Sequence, residues 1–375
     1  AFLLTTVFNE WFIPAILVLL ATAGWFIFLI VTNYRPIRNI VSTLERLQDN
    51  YRAPGARHKH ELYYIESALA GIIDRAAQYE QQAAEDQAIK RNYFLYELLE
   101  GTRAISAGEW EQEAARHRMA GPFARQRVAL CEIDRYKDRF QRMYGYGDQK
   151  LLKYAIENVM TETLAKAGFD VWTLWLESHR LAVIVRGDNG RPDGEARLRE
   201  GLRNALDWFG GHLNFTLSAG VGGDAEEPEQ LRRSLREAAE ALQFKPVHGE
   251  NSLIFFTAEA DGKDRALDFF QMIRTSSEAP RLAQADWVSG VEEWFGQLRA
   301  RKLAKDDIAG LLNYHVFYLD RSLAGMGQDD LDAWKRETQP KLMEAIDEFE
   351  TLEDLERTYL PALRRFEERM KEIRA

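Results

Sequence analysis

From Trp11 to Val31 the chain reads WFIPAILVLLATAGWFIFLIV, without a charge. Roughly 20 apolar residues at about 1.5 Å rise each match a bilayer core of about 30 Å. This run predicts a transmembrane helix within a first part, residues 1–34. A secretory signal would have a shorter apolar region, basic residues before it and a small-residue cleavage site after it. Here Glu10 precedes the run and Arg35 and Arg38 follow it. Basic residues mark the cytoplasmic side, so everything after Tyr34 is expected inside the cell, as a single-pass protein of the cell membrane. The chain opens on Ala1 and the apolar AFLLTTVF rather than on methionine, which predicts a further segment upstream.

Residues 35–101 read as two amphipathic helices. Pro36 suits a helix start, where its missing N–H costs nothing, and Ile37, Ile40, Val41, Leu44 and Leu47 recur at three- and four-residue steps. Pro54 and Gly55 break the pattern, and Leu62, Ile65, Leu69, Ile72, Ile73 and Ala76 then line a second face that continues into YFLYELLEG. Two such stripes after a membrane span resemble a HAMP-like linker, a parallel coiled coil that passes motion inward, and they imply a homodimer. A helical hairpin packed on the following domain is the other reading. His58 and His60 lack a third ligand at suitable spacing and read as a solvated connector.

Over residues 102–258 the texture changes. RVALCEI, VWTLWLE, RLAVIVRG, NFTLSAGVGG and NSLIFF read as strands, and three amphipathic stretches between them read as helices. The order is βαββαβαβ, an α/β domain with one mixed sheet inside a chain of α+β class. Leu198, Leu202, Ala205, Leu206 and Phe209 supply the buried stripe of the middle helix. Cys131, the one cysteine, lies in an apolar strand and reads as a small core residue, which rules out a disulfide framework within the chain. A net charge of -10 excludes a chain that coats nucleic acid as a whole.

Three segments resemble the diguanylate-cyclase (GGDEF) domain: CEIDRYKDRFQRMYGYGDQKLL its first strand and helix, FTLSAGVGG its V-T-x-S-I-G-V strand, and LREAAEALQFKPVHGENSLIFF its ending. That family places G-G-D/E-E-F in a hairpin, where two glycines let the backbone approach the nucleotide and an acidic residue helps hold the metal. The corresponding residues are Glu177-Ser178-His179-Arg180-Leu181, joining what are expected to be two central strands. Glu132 falls at the first metal-binding aspartate, and Asp134 at the second aspartate of that motif. Phe140 falls at the asparagine that meets the base, and Asp148 at the guanine-contacting aspartate. Phosphoryl transfer depends on positioning and on metal-borne charge, so the altered hairpin implies a degenerate domain without enzymatic activity. No catalytic, cofactor-binding or metal-binding residue is assigned, and no cofactor is expected.

Residues 259–375 read as nearly all helix, with Trp287, Trp294, Phe295 and Phe317 as core and His315 as a packed or hydrogen-bonded histidine. The last helix mixes Arg and Glu at i,i+3 and i,i+4 and reads as a connector to an output domain beyond it. The layout, with YFLYELLEG, VALCEIDRYKDRF and IDEFETLEDL, resembles membrane-anchored AraC-type transcriptional regulators of Paenibacillus-like bacteria. That resemblance implies a non-enzymatic transducer that passes an unknown extracellular ligand's signal to a DNA-binding domain. No helix-turn-helix can be read in 260–375, so DNA contact would come only through a domain outside this chain. The alternatives are a residual diguanylate cyclase or GTP-binding domain, resting on Glu132 and Asp148, and a membrane-tethered protein-interaction scaffold.

Overall fold

The computed structural model describes residues 86–119, 121–187, 193–257, 263–278, 280, 286–325 and 327–374. The chain divides into two compact units, Ala1–Gln81 and Gln82–Ala375, and every described residue lies in the second. The expected transmembrane helix, the HAMP-like stripes over residues 37–76 and the His58/His60 connector lie outside the described residues. Among the described residues, no helix is long and apolar enough to cross a membrane.

A helix described over 86–100 (α1) precedes α2, Ala107–Arg116. Ser106 caps α2 through the Glu109 amide, and the Glu109 carboxylate returns to the Ser106 amide at 2.8 Å, satisfying two otherwise orphaned donors. The sheet domain then runs β1 (Gln126–Ile133), α3 (Tyr146–Lys166), β2 (Asp170–Trp175), β3 (Arg180–Arg186), α4 (Gly194–His212), β4 (Leu217–Val221), α5 (Leu231–Leu242), a short α6 (Lys245–His248) and β5 (Leu253–Phe255). Apart from α6, a π-helical turn over Tyr136–Gln141 and a 3-10 turn at Pro228–Gln230, this is the βαββαβαβ order that the periodicity predicts.

The five strands lie in the order β2-β3-β1-β4-β5, antiparallel except for the β4–β5 pair. β1 is central and covered on both faces. Its Ala129, Cys131 and Ile133 meet α3 and α4 through Ile156, Met160, Leu202 and Phe209, whereas Val128 meets α1 and α2 through Phe94, Leu98 and Trp110. On that second face α5 lies so close to β4 that a Cβ at Gly220 or Gly222 would overlap the Ala238 or Ser234 carbonyl. One expectation is corrected here: β2 is an edge strand, so the 177–180 turn joins an edge strand to an inner one.

The C-terminal helices are α7 (Lys263–Glu278), α8 (Trp287–Arg301), α9 (Lys305–Leu323), α10 (Gln328–Ala333), α11 (Gln339–Glu348) and α12 (Leu352–Arg374), with a π-helical turn at Trp334–Thr338. Trp287, Trp294, Phe295, Leu319, Trp334 and Tyr359 share one core, and full burial of each large apolar side chain contributes about 1.5–3 kcal/mol. Phe317 does not join it and is 59 % exposed. His315, Val316 and Leu319 face inward on α9, and at about 100° per residue position 317 turns away from them.

Candidate functional site

Strand alternation sends Cys131 and Ile133 to one face of the sheet, so Glu132 and the following Asp134 leave the end of β1 on the other. Asp134 is fully buried and saturated with donors. It accepts from Thr216 Oγ1 at 2.7 Å, Ser218 Oγ at 2.8 Å and the Asn251 amide at 2.9 Å, and it pairs with Lys245 Nζ at 2.8 Å. Glu132 has both oxygens engaged: Oε1 accepts from Lys245 Nζ at 2.9 Å and Oε2 from Arg180 Nε at 2.9 Å.

Lys245 is the centre of this arrangement. It lies on α6 with 3 % of its surface exposed. Its ammonium meets Glu132, Asp134 and Glu350 at 2.9, 2.8 and 2.7 Å, which matches three donors to three carboxylates. Burial alone would lower the lysine's pKa, but the three carboxylates more than offset this and hold it above the ordinary lysine range. Burial likewise acts to raise the Glu132 carboxyl, and Lys245 and Arg180 overcome it, holding the group at about 2. A buried cation paired in this way is costly to unpair from either side.

Glu350 and its neighbours make the centre a junction. Glu350 lies between α11 and α12 and also accepts from the Arg135 amide at 2.8 Å. Arg135 turns out of β1 in the left-handed conformation, φ +50°, and its guanidinium bridges Glu250 and Asp354, the latter at 2.5 Å. Thr351 Oγ1 accepts from the Asp354 amide at 3.1 Å, so the residue that holds Arg135 also belongs to the first turn of α12. The Lys305 amide donates to Gln243 O at 2.7 Å, tying the start of α9 to the end of α5. A cleft of about 90 Å³ opens here, lined by Leu130, Glu132, Arg180, Lys245, Lys305 and Glu350 among others.

The other residues singled out in the sequence are scattered around this junction. Glu177 and Ser178 are exposed, His179 and Arg180 are half-buried, and Leu181 is buried in the sheet. None of residues 177–180 has a positive φ, so the turn closes without needing glycine. His179 packs near the Tyr136 ring at 5.6 Å, and burial pushes its pKa down. Phe140 is fully buried between Tyr136 and Phe215, filling with an aromatic ring the place where the resemblance puts a base-contacting asparagine. Asp148 is exposed in the first turn of α3, away from Glu132's partners. Cys131 is buried in the core, and burial pushes its thiol up to about 12.

These residues do not fit the divalent metal that the GGDEF resemblance implies. A cation at Glu132 would compete with Lys245 and Arg180 for oxygens they already hold. Among the described residues, no group of three His, Cys, Asp or Glu side chains is placed to hold a metal. Sequence reasoning located Glu132, Asp134 and Arg180 but missed Lys245, Arg135, Glu350 and Asp354. A lysine beside Pro246 at the start of a short helix carried no local signal of its partners, which lie 105 and 113 residues away.

Comparison with known families matches residues 106–244 to the GGDEF-like domain. Solved structures that resemble the chain include the active GGEEF domain of a diguanylate cyclase from Vibrio cholerae, with 12 % identity, 41 % of this chain and 95 % of that one covered, and a TM-score of 0.30. The GGDEF domain of YfiN (TpbB) from Pseudomonas aeruginosa is 17 % identical over 45 % of this chain and 96 % of that one, with a TM-score of 0.30. An EAL/GGDEF domain protein from M. capsulatus is 16 % identical over 36 % of this chain and 86 % of that one, at 0.26. No curated protein matches the chain.

Proposed function

We propose that this chain, which carries a GGDEF-like domain over residues 106–244, is a non-enzymatic relay whose sheet domain passes a conformational signal to its C-terminal helices. One observation carries the reading. The carboxylate at the place of a metal ligand, Glu132, is held by Lys245 and Arg180, and the same lysine grips Glu350 at the head of α12. Internal cations stand in for metal-borne charge, so the domain keeps its shape without nucleotide chemistry. The link also gives the sheet a charged handle on the helical region, of the kind that can have two discrete arrangements.

In the wider reading, residues 11–31 anchor the chain in the cell membrane and the stripes Ile37, Ile40, Leu44, Leu47 and Leu62, Ile65, Leu69, Ile72 pair two copies. An extracellular ligand changes that pairing, and the relay delivers the change to an AraC-type DNA-binding domain beyond α12. Hydrogen exchange on the full chain in membranes tests the relay. Leu44→Asp or Ile65→Asp should change protection at the first turn of α12, and Lys245→Met should abolish the response. Unchanged exchange at α12 in the stripe variants would sink the proposal.

A further inference from the structure

Arg180, Lys245 and Lys305 are the cations that line the junction cleft. Arg180 and Lys245 both hold Glu132, whereas Lys305 has no carboxylate partner among the described residues. Its ammonium lies instead over the Phe349 ring, 5.1 Å from the centroid. Lys305 is half-buried at the first position of α9, where the positive end of the helix dipole disfavours a further positive charge. Burial lowers its pKa; Glu132 of β1 and Glu350 before α12 act against this, and Lys245 of α6 and Arg180 of β3 act with it. On α9 itself Asp306 and Asp307 follow, both exposed. A lysine desolvated beside other cations is suited to act as a nucleophile, because more of it is the neutral amine.

We propose that Lys305 is a site of covalent acylation by small acyl phosphates that enter this cleft. At about 90 Å³ the cleft holds a few water-sized groups, which gives room for an acetyl group but not for a benzoyl group. An acyl phosphate suits that opening because its leaving group is a bare phosphate, whereas a carrier-bound thioester would bring its whole carrier to the same place. Lys305 Nζ attacks the acyl carbon, and the new C–N bond forms as the C–O bond to phosphate breaks. Phosphate leaves with the electron pair and takes up the proton that the amine gives off. The product is a neutral amide, so the cleft loses one positive charge beside Glu132 and Glu350. The Lys305 backbone amide, which donates to Gln243 O at 2.7 Å, is untouched by the reaction.

Treatment of the full chain with acetyl phosphate, with the initial rate at each lysine read by peptide mass spectrometry, tests this. Lys305 should react several-fold faster than the exposed Lys150 and Lys335, with a pH profile that levels off below the range of an ordinary lysine. Lys153 is the internal control. Burial lowers its pKa too, and it lies over the Trp175 ring at 4.6 Å, but it is not among the residues lining this cleft. Benzoyl phosphate should lose the preference for Lys305, and unfolding in urea should remove it with either reagent. Acetylation of Lys305 no faster than of Lys150 would overturn the proposal. A rate at Lys153 equal to that at Lys305, or a preference that persists with benzoyl phosphate, would show that the cleft does not select the site and would overturn it as well.

Discussion

Two buried polar centres in the second unit are built in opposite ways. At Lys245 an ammonium draws three carboxylates from β1 and the α11–α12 segment to within 2.9 Å. At His315, inside the apolar helical core, a neutral imidazole shares one hydrogen bond, Nδ1 to the Tyr359 hydroxyl at 2.8 Å, beneath the edge of Trp294. The first centre joins β1 and the α11–α12 segment by charge, beside an apolar contact of Val247 on the bundle core. The second fills space in a core already fixed by Phe295, Leu319 and Trp334. Charge specifies the junction, whereas apolar area specifies the bundle.

The largest effect expected is at the junction. Lys245→Met removes the cation from one fully buried and two half-buried carboxylates and should destabilise the chain by about 3–5 kcal/mol in denaturant unfolding followed by tryptophan fluorescence. A cost below about 1 kcal/mol would mean that the carboxylates are not dependent on this lysine.

Acid separates the two centres. Burial lowers the His315 pKa to about 3, below its ordinary value of 6.5, so the unfolded chain takes up the proton first and the bundle loses stability as pH falls from 6.5 toward 3. Glu132 is held at about 2, below its ordinary 4.5, so its contribution is present above 4.5 and is lost as pH falls toward 2. Each amounts to a few kcal/mol at most, by the relation of about 1.4 kcal/mol per pKa unit. His315→Leu should remove the loss that begins near pH 6.5 and leave the one below 4.5; an unchanged acid profile would place the first loss elsewhere.

Tyr359→Phe should cost roughly 1–2 kcal/mol, because it leaves His315 Nδ1 buried without a partner. Arg364→Ala, which removes an ion pair to Glu292 from a side chain 58 % exposed, should cost less than Tyr359→Phe and fade with added salt. Chemical denaturation at two salt concentrations checks both, and a large salt-insensitive cost for Arg364→Ala would erase the contrast between surface and buried charge.

The difference between the two centres also explains what could be read in the sequence. Strand order and the stripe from Leu198 to Phe209 were legible because burial leaves a local period of two or 3.6. The placement of the 177–180 turn between β2 and β3 followed from the same pattern, but β2's edge position did not, since pairing order has no local signature. Phe317 was misread because an aromatic residue inside an apolar run looks the same from either side of α9. The junction was the least legible part. Asp134 and Glu132 stood out only through a family resemblance, while Lys245, Glu350 and Asp354 take their roles from contacts more than a hundred residues apart.

In the proposed relay, Lys245 and Arg180 stand where metal-borne charge would meet Glu132. The most direct measurement is titration of the full chain with GTP and manganese or magnesium, with product analysis in the same samples. The account predicts no metal-dependent GTP binding and no cyclic dinucleotide. Metal-dependent product made by the unmodified chain and lost in Glu132→Gln would contradict it.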